Sequence, residues 1–256
     1  MEYAVICAAS LIASGLTLFS GFGLGTLLMP VFALFFPVNV AVALTALVHF
    51  LNNLFKLALL GKHADRAAVV RFGFPAIGSA FLGAWTLLWL SAMEPLFRYD
   101  MGGRTFSVEP VKLVVSFLMV LFALTEVMPW GKKVSFEAKY LPLGGLLSGF
   151  FGGLTGHQGA LRSAFLIRYG LSKETFIATG VVIACLVDFT RLSVYGTHLA
   201  SFGSGNRPLL AAATLFAFLG AFLGKFLLKK VTLHGVQMVV AAMLFVIALA
   251  LGAGLI

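Results

Sequence analysis

The sequence predicts an all-α integral membrane protein, a polytopic helix bundle built from two repeats of inverted topology. Three observations predict this class. The first is composition, because 61% of the 256 residues are hydrophobic and only 11% are charged, whereas soluble domains carry about 25% charged residues. The second is a glycine-rich interruption that occurs once in each half of the chain. The third is a swap of basic loops between the halves. The apolar excess is therefore expected to face a lipid bilayer.

Six apolar stretches are long enough to cross the hydrocarbon of a bilayer, about 30 Å, which takes about 20 helical residues. They lie at 38–60, 71–92, 110–129, 173–195, 207–228 and 233–254. The basic residues that give the chain a net charge of +9 are spread through the short loops between these stretches. This pattern follows the positive-inside rule, so the charge indicates membrane topology and not a nucleic acid partner.

Two further apolar regions are interrupted by glycines. Residues 4–36 are interrupted at 21–25, and residues 141–169 are interrupted at 152–159. Because glycine disfavours a continuous helix, each region is predicted to form a broken helical hairpin that joins about three spanning helices in its repeat. The pattern leaves open whether the hairpins are re-entrant or complete short spans.

The two halves of the chain resemble each other at a separation of about 135 residues. The matches are Gly61-Lys62-His63 with Gly196-Thr197-His198, Lys56 with Arg191, Asn53 with Asp188, and Phe81-Leu82-Gly83-Ala84 with Phe218-Leu219-Gly220-Ala221. Their common order indicates an internal duplication. We therefore predict a first transmembrane repeat over 1–129, a cytoplasmic linker over 130–140 and a second, inverted repeat over 141–256.

The loop charges indicate how the two repeats are oriented. The 61–71 loop holds three basic residues, whereas the matching loop at 196–207 holds only Arg207. Conversely, the 93–109 loop has mixed charges, and its counterpart at 225–230 has three lysines and no acid. Since basic loops mark the cytoplasmic side, the repeats should have opposite topologies.

Inverted repeats with broken helices place a substrate site near the membrane midplane, between the repeats. Glycine breaks leave backbone N–H groups unpaired, and a helix start directs such groups and its positive dipole end toward an anion. The glycines expected to have this role are Gly23, Gly25, Gly156 and Gly159. The alternative is that they only allow close helix packing.

Polar side chains on two of the predicted spans extend the candidate anion site, because polar groups inside membrane spans usually face the bundle interior. The span 38–60 carries Thr45, His49, Asn52, Asn53 and Lys56 at helical spacing. From that stripe and from the second half, the predicted substrate-binding side chains are His49, Asn52, Asn53, Lys56, His157, Gln158, Arg162 and Arg191.

Several of these residues have alternative interpretations. Asp188 is the candidate for proton coupling, but it lies one turn before Arg191 and could simply form an ion pair with it. Lys56 and Arg191 could attract an anion or could extend toward the membrane surface. His49 could carry a proton or could be a hydrogen-bonded structural histidine.

Three stretches resemble a known family: the first glycine run with Pro30, Asn52-Asn53 with Lys56 and Gly61, and the second glycine run opening into Arg162. In these stretches the chain resembles the TauE/SafE family, also called the sulfite exporter or TSUP permease family. The resemblance implies a multi-pass protein of the bacterial inner membrane that transports sulfite, thiosulfate or organosulfonates, driven by a proton gradient. The chain departs from the commoner glycine runs of the family at Thr26-Leu27-Leu28 and at His157-Gln158, which leaves the exact substrate open.

Two other anion-handling functions fit the same features. A passive channel is one, since glycine breaks and positive charges also line pores. A carboxylate transporter is the other, because carboxylates accept from the same donors. An enzyme is not expected, because the chain has no HExxH or GxSxG motif. No metal or cofactor is expected either, since Cys7 and Cys185 lie singly in apolar runs.

Overall fold

The computed structural model describes residues 2–20, 24–128, 135–199, 207–227 and 233–256. The α-helices of these segments are α1 Glu2–Ser20, α2 Leu24–Ala33, α3 Val38–Leu60, α4 Arg66–Ser91, α5 Pro110–Val127, α6 Leu141–Thr155, α7 Gly159–Leu166, α8 Lys173–Leu199, α9 Arg207–Leu227 and α10 Leu233–Gly252. Two short strands, β1 Phe97–Met101 and β2 Arg104–Val108, separate α4 from α5. The six predicted spans correspond to α3, α4, α5, α8, α9 and α10, and the two glycine-broken regions correspond to α1–α2 and α6–α7.

The lengths and composition of the helices are those of a membrane protein. Within the described residues, Val38–Ala58, Arg66–Ser91 and Lys173–Gly196 are long and apolar enough to cross a membrane. Large apolar side chains point away from the bundle on several helices, and Phe74 is 79% exposed and Val239 71% exposed. In a soluble protein such contiguous exposure would be unfavourable, whereas in lipid it is the expected state of a helix surface.

The second glycine break is shorter than predicted. Helix α6 continues through Gly152 and Gly153 to Thr155, and it ends at Gly156, whose φ is +84°. Only glycine adopts this left-handed conformation without a steric penalty from Cβ. Gly25 also lies within a helix, α2, and the rest of the first glycine run, 21–23, lies outside the described residues.

The glycines of α6 bring it into close contact with α4. Gly145, Gly149 and Gly153 lie on one face at four-residue spacing. A Cβ built on any of them would overlap a carbonyl oxygen of α4, those of Phe72, Ala76 and Ala80 in turn. Such stripes of small residues allow membrane helices to gain packing contacts where lipid offers no hydrophobic driving force.

The helices pair across the two halves of the chain. Helix α4 packs against α6, α1 against α9, α3 against α8 and α5 against α10. Two of these contacts again depend on glycine, because a Cβ on Gly83 of α4 would overlap the carbonyl oxygen of Phe150, and one on Gly220 of α9 would overlap that of Leu11. Each half therefore contributes to every one of these four interfaces.

The 93–109 segment, predicted only as a charged loop, contains an antiparallel β-hairpin. Its register runs from Phe97 opposite Val108 to Met101 opposite Arg104. The connecting residues Gly102 and Gly103 both have positive φ, +61° and +75°, as a two-residue turn matched to the strand twist requires. The Gly-Gly pair was the sequence signal for this hairpin.

The connecting segments lie on two opposite faces. The linker face comprises 61–66, 135–140 and 167–174, where the N–H of Asp65 donates to the hydroxyl of Thr179 at 2.9 Å and that of Phe136 donates to the carbonyl of Ala164 at 3.2 Å. The hairpin face comprises 34–37, 92–112 and 253–256, where segments from all three ranges line a cavity of about 550 Å³. There the Tyr99 hydroxyl donates to the carbonyl of Ala253 at 2.6 Å.

Candidate functional site

A buried carboxylate, Asp188 of α8, is the centre of a polar cluster in the middle of the bundle. Its Oδ2 accepts from His49 Nδ1 at 2.5 Å and from Asn53 Nδ2 at 3.3 Å, both on α3. Its Oδ1 accepts from Gln158 Nε2 at 3.2 Å and from Arg191 Nε at 3.0 Å. A buried charge is tolerated only when it is paired and hydrogen-bonded in this way. Asp188 therefore connects α3, α8 and the α6–α7 break.

The Arg191 side chain is fully buried and does not extend toward a membrane surface. It forms the ion pair with Asp188 that its spacing allowed, with Nη2 2.7 Å from Oδ1. Its Nη1 donates to the carbonyl of Gly152 at 3.2 Å. One guanidinium thus binds both the carboxylate of α8 and the last turn of α6.

The first turn of α2 and the end of α6 meet beside this arginine. A Cβ on Gly25, in the first turn of α2, would lie 2.9 Å from the carbonyl oxygen of Gly156 and 3.8 Å from Cγ2 of Thr45. A Cβ on Gly156 would lie 3.0 Å from Nη1 of Arg191. Described residues of the two glycine-interrupted regions therefore lie together beside Arg191. Gly159 is buried at the start of α7, and Gly23 lies outside the described residues.

The two residues that follow Gly156 face different neighbours. The ring of His157 stacks on Phe122 of α5, with centroids 5.4 Å apart and an interplanar angle of 8°, and its Nδ1 lies 3.0 Å from Thr155 Oγ1. Gln158 bridges two charges, because its Nε2 donates to Asp188 and its Oε1 accepts from Arg162 Nη1 at 3.3 Å. The break is thus held by side-chain bonds on both sides.

Four buried polar atoms of this region have no hydrogen-bond partner among the described residues. They are Thr45 Oγ1, Asn52 Nδ2, His157 Nε2 and Arg191 Nη2. The Nη2 atom is within ion-pair distance of Asp188, but its N–H groups are not aligned with that oxygen. Asn52 is separate from the Asp188 cluster and accepts from Ser14 of α1 at 3.2 Å through its Oδ1. Buried polar atoms are normally paired, so this group indicates places for a ligand's atoms.

The charges of the site do not balance. Lys56 is only 8% exposed, and it forms no hydrogen bond or ion pair with any described residue. Its charge instead repels that of Arg162. With Arg191, three basic side chains lie in the bundle beside one carboxylate among the described residues, that of Asp188. Such an excess inside a membrane protein is unfavourable unless an anion joins it.

The structure unites most of the predicted site residues and adds others. His49, Asn53, Gln158 and Arg191 contact Asp188 directly, whereas Lys56 does not and Arg162 does so only through Gln158. The sequence placed Thr45 in the polar stripe without assigning it to the site. Its Cγ2 would lie 3.8 Å from a Cβ on Gly25. Two contributors were missed altogether, Phe122 and Tyr195, whose hydroxyl donates to the carbonyl of Gly153. Tyr195 lies seven residues after Asp188, on the same helix face. This spacing was the sequence signal that could have identified it as part of the site.

A sequence model of a protein family, described as sulfite exporter TauE/SafE, matches residues 6–251, and this range includes every residue of the site. The comparison with curated proteins finds no match.

Proposed function

Since this chain belongs to the sulfite exporter TauE/SafE family, we propose that it is a secondary transporter of a small sulfur-containing anion such as sulfite, thiosulfate or an organosulfonate. The family is one of sulfite-exporter type transporters, and the apolar helices are those of a membrane protein. In our proposal the anion binds between the two halves of the bundle, near the midplane of the bacterial inner membrane. Transport is coupled to protons.

The observation that carries the proposal is the unbalanced positive charge beside unpaired donors. The basic side chains of Lys56, Arg162 and Arg191 outnumber the carboxylate of Asp188, and Asn52 Nδ2 and Arg191 Nη2 have no hydrogen-bond acceptor among the described residues. A bound oxyanion would supply both the missing charge and the missing acceptors, and charge-assisted hydrogen bonds are the stronger ones.

Two inverted repeats, 1–129 and 141–256, are supported by the way the helices pair. If the two halves are exchanged, the α4–α6 contact becomes the α9–α1 contact. The α3–α8 and α5–α10 contacts each remain the same contact. At the α3–α8 contact, Asn53 bonds to Asp188. These two residues are counterparts of each other in the duplication. Elements next to a two-fold axis meet their counterparts in this manner.

We assign proton coupling to the His49–Asp188 pair. An anion that binds Arg191 competes with the carboxylate of Asp188 for the same guanidinium, and protonation of that carboxylate would release the guanidinium to the anion. The charged or titratable neighbours of the pair are Arg191, Cys185 and Tyr195 on α8, Lys56 on α3 and Arg162 on α7. In proteoliposomes, uptake driven by a pH gradient should be lost in Asp188→Asn, while binding at equilibrium persists.

The first test is thermal unfolding of the purified protein with sulfite, thiosulfate, taurine, sulfoacetate, acetate and chloride. A ligand that binds only the folded state raises the Tm, so we expect selective stabilisation by a sulfur oxyanion. Arg191→Gln should abolish the shift. Lys139→Gln is the control, because Lys139 is 62% exposed on the linker face and its loss should leave the shift unchanged.

Each other outcome points to a different function. Stabilisation by acetate alone would favour a carboxylate transporter. Uptake that does not saturate and does not respond to a pH gradient would indicate a passive channel. A shift retained in Arg191→Gln would place the anion elsewhere in the bundle.

A further inference from the structure

The hydrogen bonds around Thr155 determine which nitrogen of His157 carries a proton. The Thr155 hydroxyl donates its one hydrogen to the carbonyl of Phe151 at 3.1 Å. Its oxygen therefore accepts from its two other neighbours, the backbone N–H of His157 at 3.4 Å and His157 Nδ1 at 3.0 Å. The Nδ1 atom is thus the protonated nitrogen of the ring.

The second nitrogen of the ring is consequently an acceptor. A neutral imidazole has one donor and one acceptor nitrogen, and both the burial of the ring and the guanidinium of Arg191 beside Gly156 oppose a positive charge on it. His157 is 2% exposed, and its Nε2 has no partner among the described residues. An acceptor therefore lies unpaired in a site whose other unpaired groups include N–H donors and one hydroxyl.

We propose that His157 Nε2 selects an anion that retains one proton, such as hydrogensulfite. This proposal rests on the transporter function proposed above. The O–H of the anion donates to Nε2, while Arg191 Nη2 and the Thr45 hydroxyl donate to its charged oxygens. The substrate class is then a protonated monoanion of the form HO–XO₂⁻ and not a fully deprotonated dianion. No proton is transferred on binding, because the anion keeps its O–H.

Two pairs of isosteric anions test this assignment directly. Hydrogensulfite and methanesulfinate have the same charge and shape and differ by O–H against CH₃, and hydrogencarbonate and acetate differ in the same way. Affinities would be measured by isothermal titration calorimetry at mildly acidic pH for the first pair and near neutral pH for the second. We expect the O–H member of the pair that fits the site to bind about tenfold more tightly, since a buried acceptor left unpaired costs about one hydrogen bond.

Two variants assign the preference to His157. His157→Phe keeps a ring to stack on Phe122 and removes the acceptor, so the affinity ratio should fall to about one through weaker binding of the O–H anion alone. His157→Gln retains an acceptor oxygen and should preserve part of the preference. His63→Phe, at an exposed residue of the linker face, is the matched control and should keep the wild-type ratio.

The outcomes separate this inference from the function on which it rests. If none of the four anions binds the wild type, the anion site itself is wrong. If both members of each pair bind equally to the wild type, the anion site stands and the role of His157 is overturned. A preference retained unchanged in His157→Phe would overturn that role as well.

Discussion

At the scale of single residues, the buried polar groups of the bundle divide into two sets. One set is paired around Asp188 and links neighbouring helices through ion pairs and hydrogen bonds. The other set consists of single atoms, such as Thr45 Oγ1 and His157 Nε2, that are buried without hydrogen-bond partners among the described residues. The first set stabilises the fold, whereas the second lowers the stability of the empty protein because a buried unpaired polar atom costs about 1–3 kcal/mol.

Thr45→Val should therefore have opposite effects on stability and on binding. Valine removes the unpaired hydroxyl at nearly constant volume, so the free energy of unfolding without ligand should rise by about 1 kcal/mol. Affinity for the anion should fall about five- to tenfold, because the complex loses one hydrogen bond. Thermal unfolding with and without sulfite measures both effects. A variant less stable than the wild type without anion would show that the hydroxyl is already paired.

The sequence was informative about which residues form the site and less so about their partners. Ionisable side chains within apolar spans are rare and face inward, and this rule identified His49, Asp188 and Arg191. It could not show that Asn52 bonds to Ser14 and stands apart from Asn53, because that choice depends on the rotation of α3 relative to α1. Nor could it identify Phe122, whose role is apparent only from the stacking on His157.

At the scale of secondary-structure elements, glycine has two functions that sequence alone did not separate. In α6, Gly145, Gly149 and Gly153 allow the backbone of α4 to approach closely. Gly156 instead ends the helix through its positive φ. The glycine run at 152–159 therefore contains both a packing surface and a break, and only the break interrupts the helix.

Matched substitutions at Gly83 and Gly220 test the corresponding helix contacts of the two halves. Alanine at either residue would overlap a backbone carbonyl, so Gly83→Ala and Gly220→Ala should each lower the free energy of unfolding by about 1–3 kcal/mol. Gly78→Ala, also in α4, meets nothing within 4 Å and should raise it by up to about 1 kcal/mol through helix propensity. Thermal unfolding in detergent compares the three, and losses of very different size at 83 and 220 would contradict equivalent interfaces.

Helix positions were predictable, whereas the β-hairpin was not recognised. A span of about 20 apolar residues leaves few alternatives in lipid, and the six spans accordingly match helices to within a few residues, apart from an earlier start of α4 at Arg66 and a later end of α8 at Leu199. The hairpin lies outside the long apolar stretches and contains charged residues, but β1 does alternate apolar and polar residues from Phe97 to Met101, which is the pattern that predicts a strand. Its glycine turn adds to that signal.

At the scale of the whole molecule, the two faces differ in charge. Among the described residues, the linker face has five basic and three acidic residues, Lys62, Arg66, Lys139, Arg168 and Lys173 against Asp65, Glu137 and Glu174. The hairpin face has three of each, Arg98, Arg104 and Lys112 against Glu94, Asp100 and Glu109. Since cytoplasmic loops are enriched in Lys and Arg, we expect the linker face in the cytoplasm.

Cysteine labelling in cells tests this orientation. Thr105→Cys on the hairpin should react with a membrane-impermeant maleimide from outside the inner membrane, and Lys139→Cys should react only after permeabilisation. The native Cys7 and Cys185 are each only 8% exposed, so background labelling should be low. Labelling of the two variants in the reverse order would invert the assigned topology.

The bonds around Asp188 also constrain how this protein can diverge from its relatives. Because one carboxylate serves partners on α3, α8 and the α6–α7 break, its loss leaves several buried donors without an acceptor at once. One change elsewhere cannot supply acceptors to all of the donors that a substitution of Asp188 leaves unpaired. Across homologous sequences we therefore expect Asp188, Arg191 and His49 to be replaced jointly, so that their substitutions are correlated and the intermediates with only one replaced are rare.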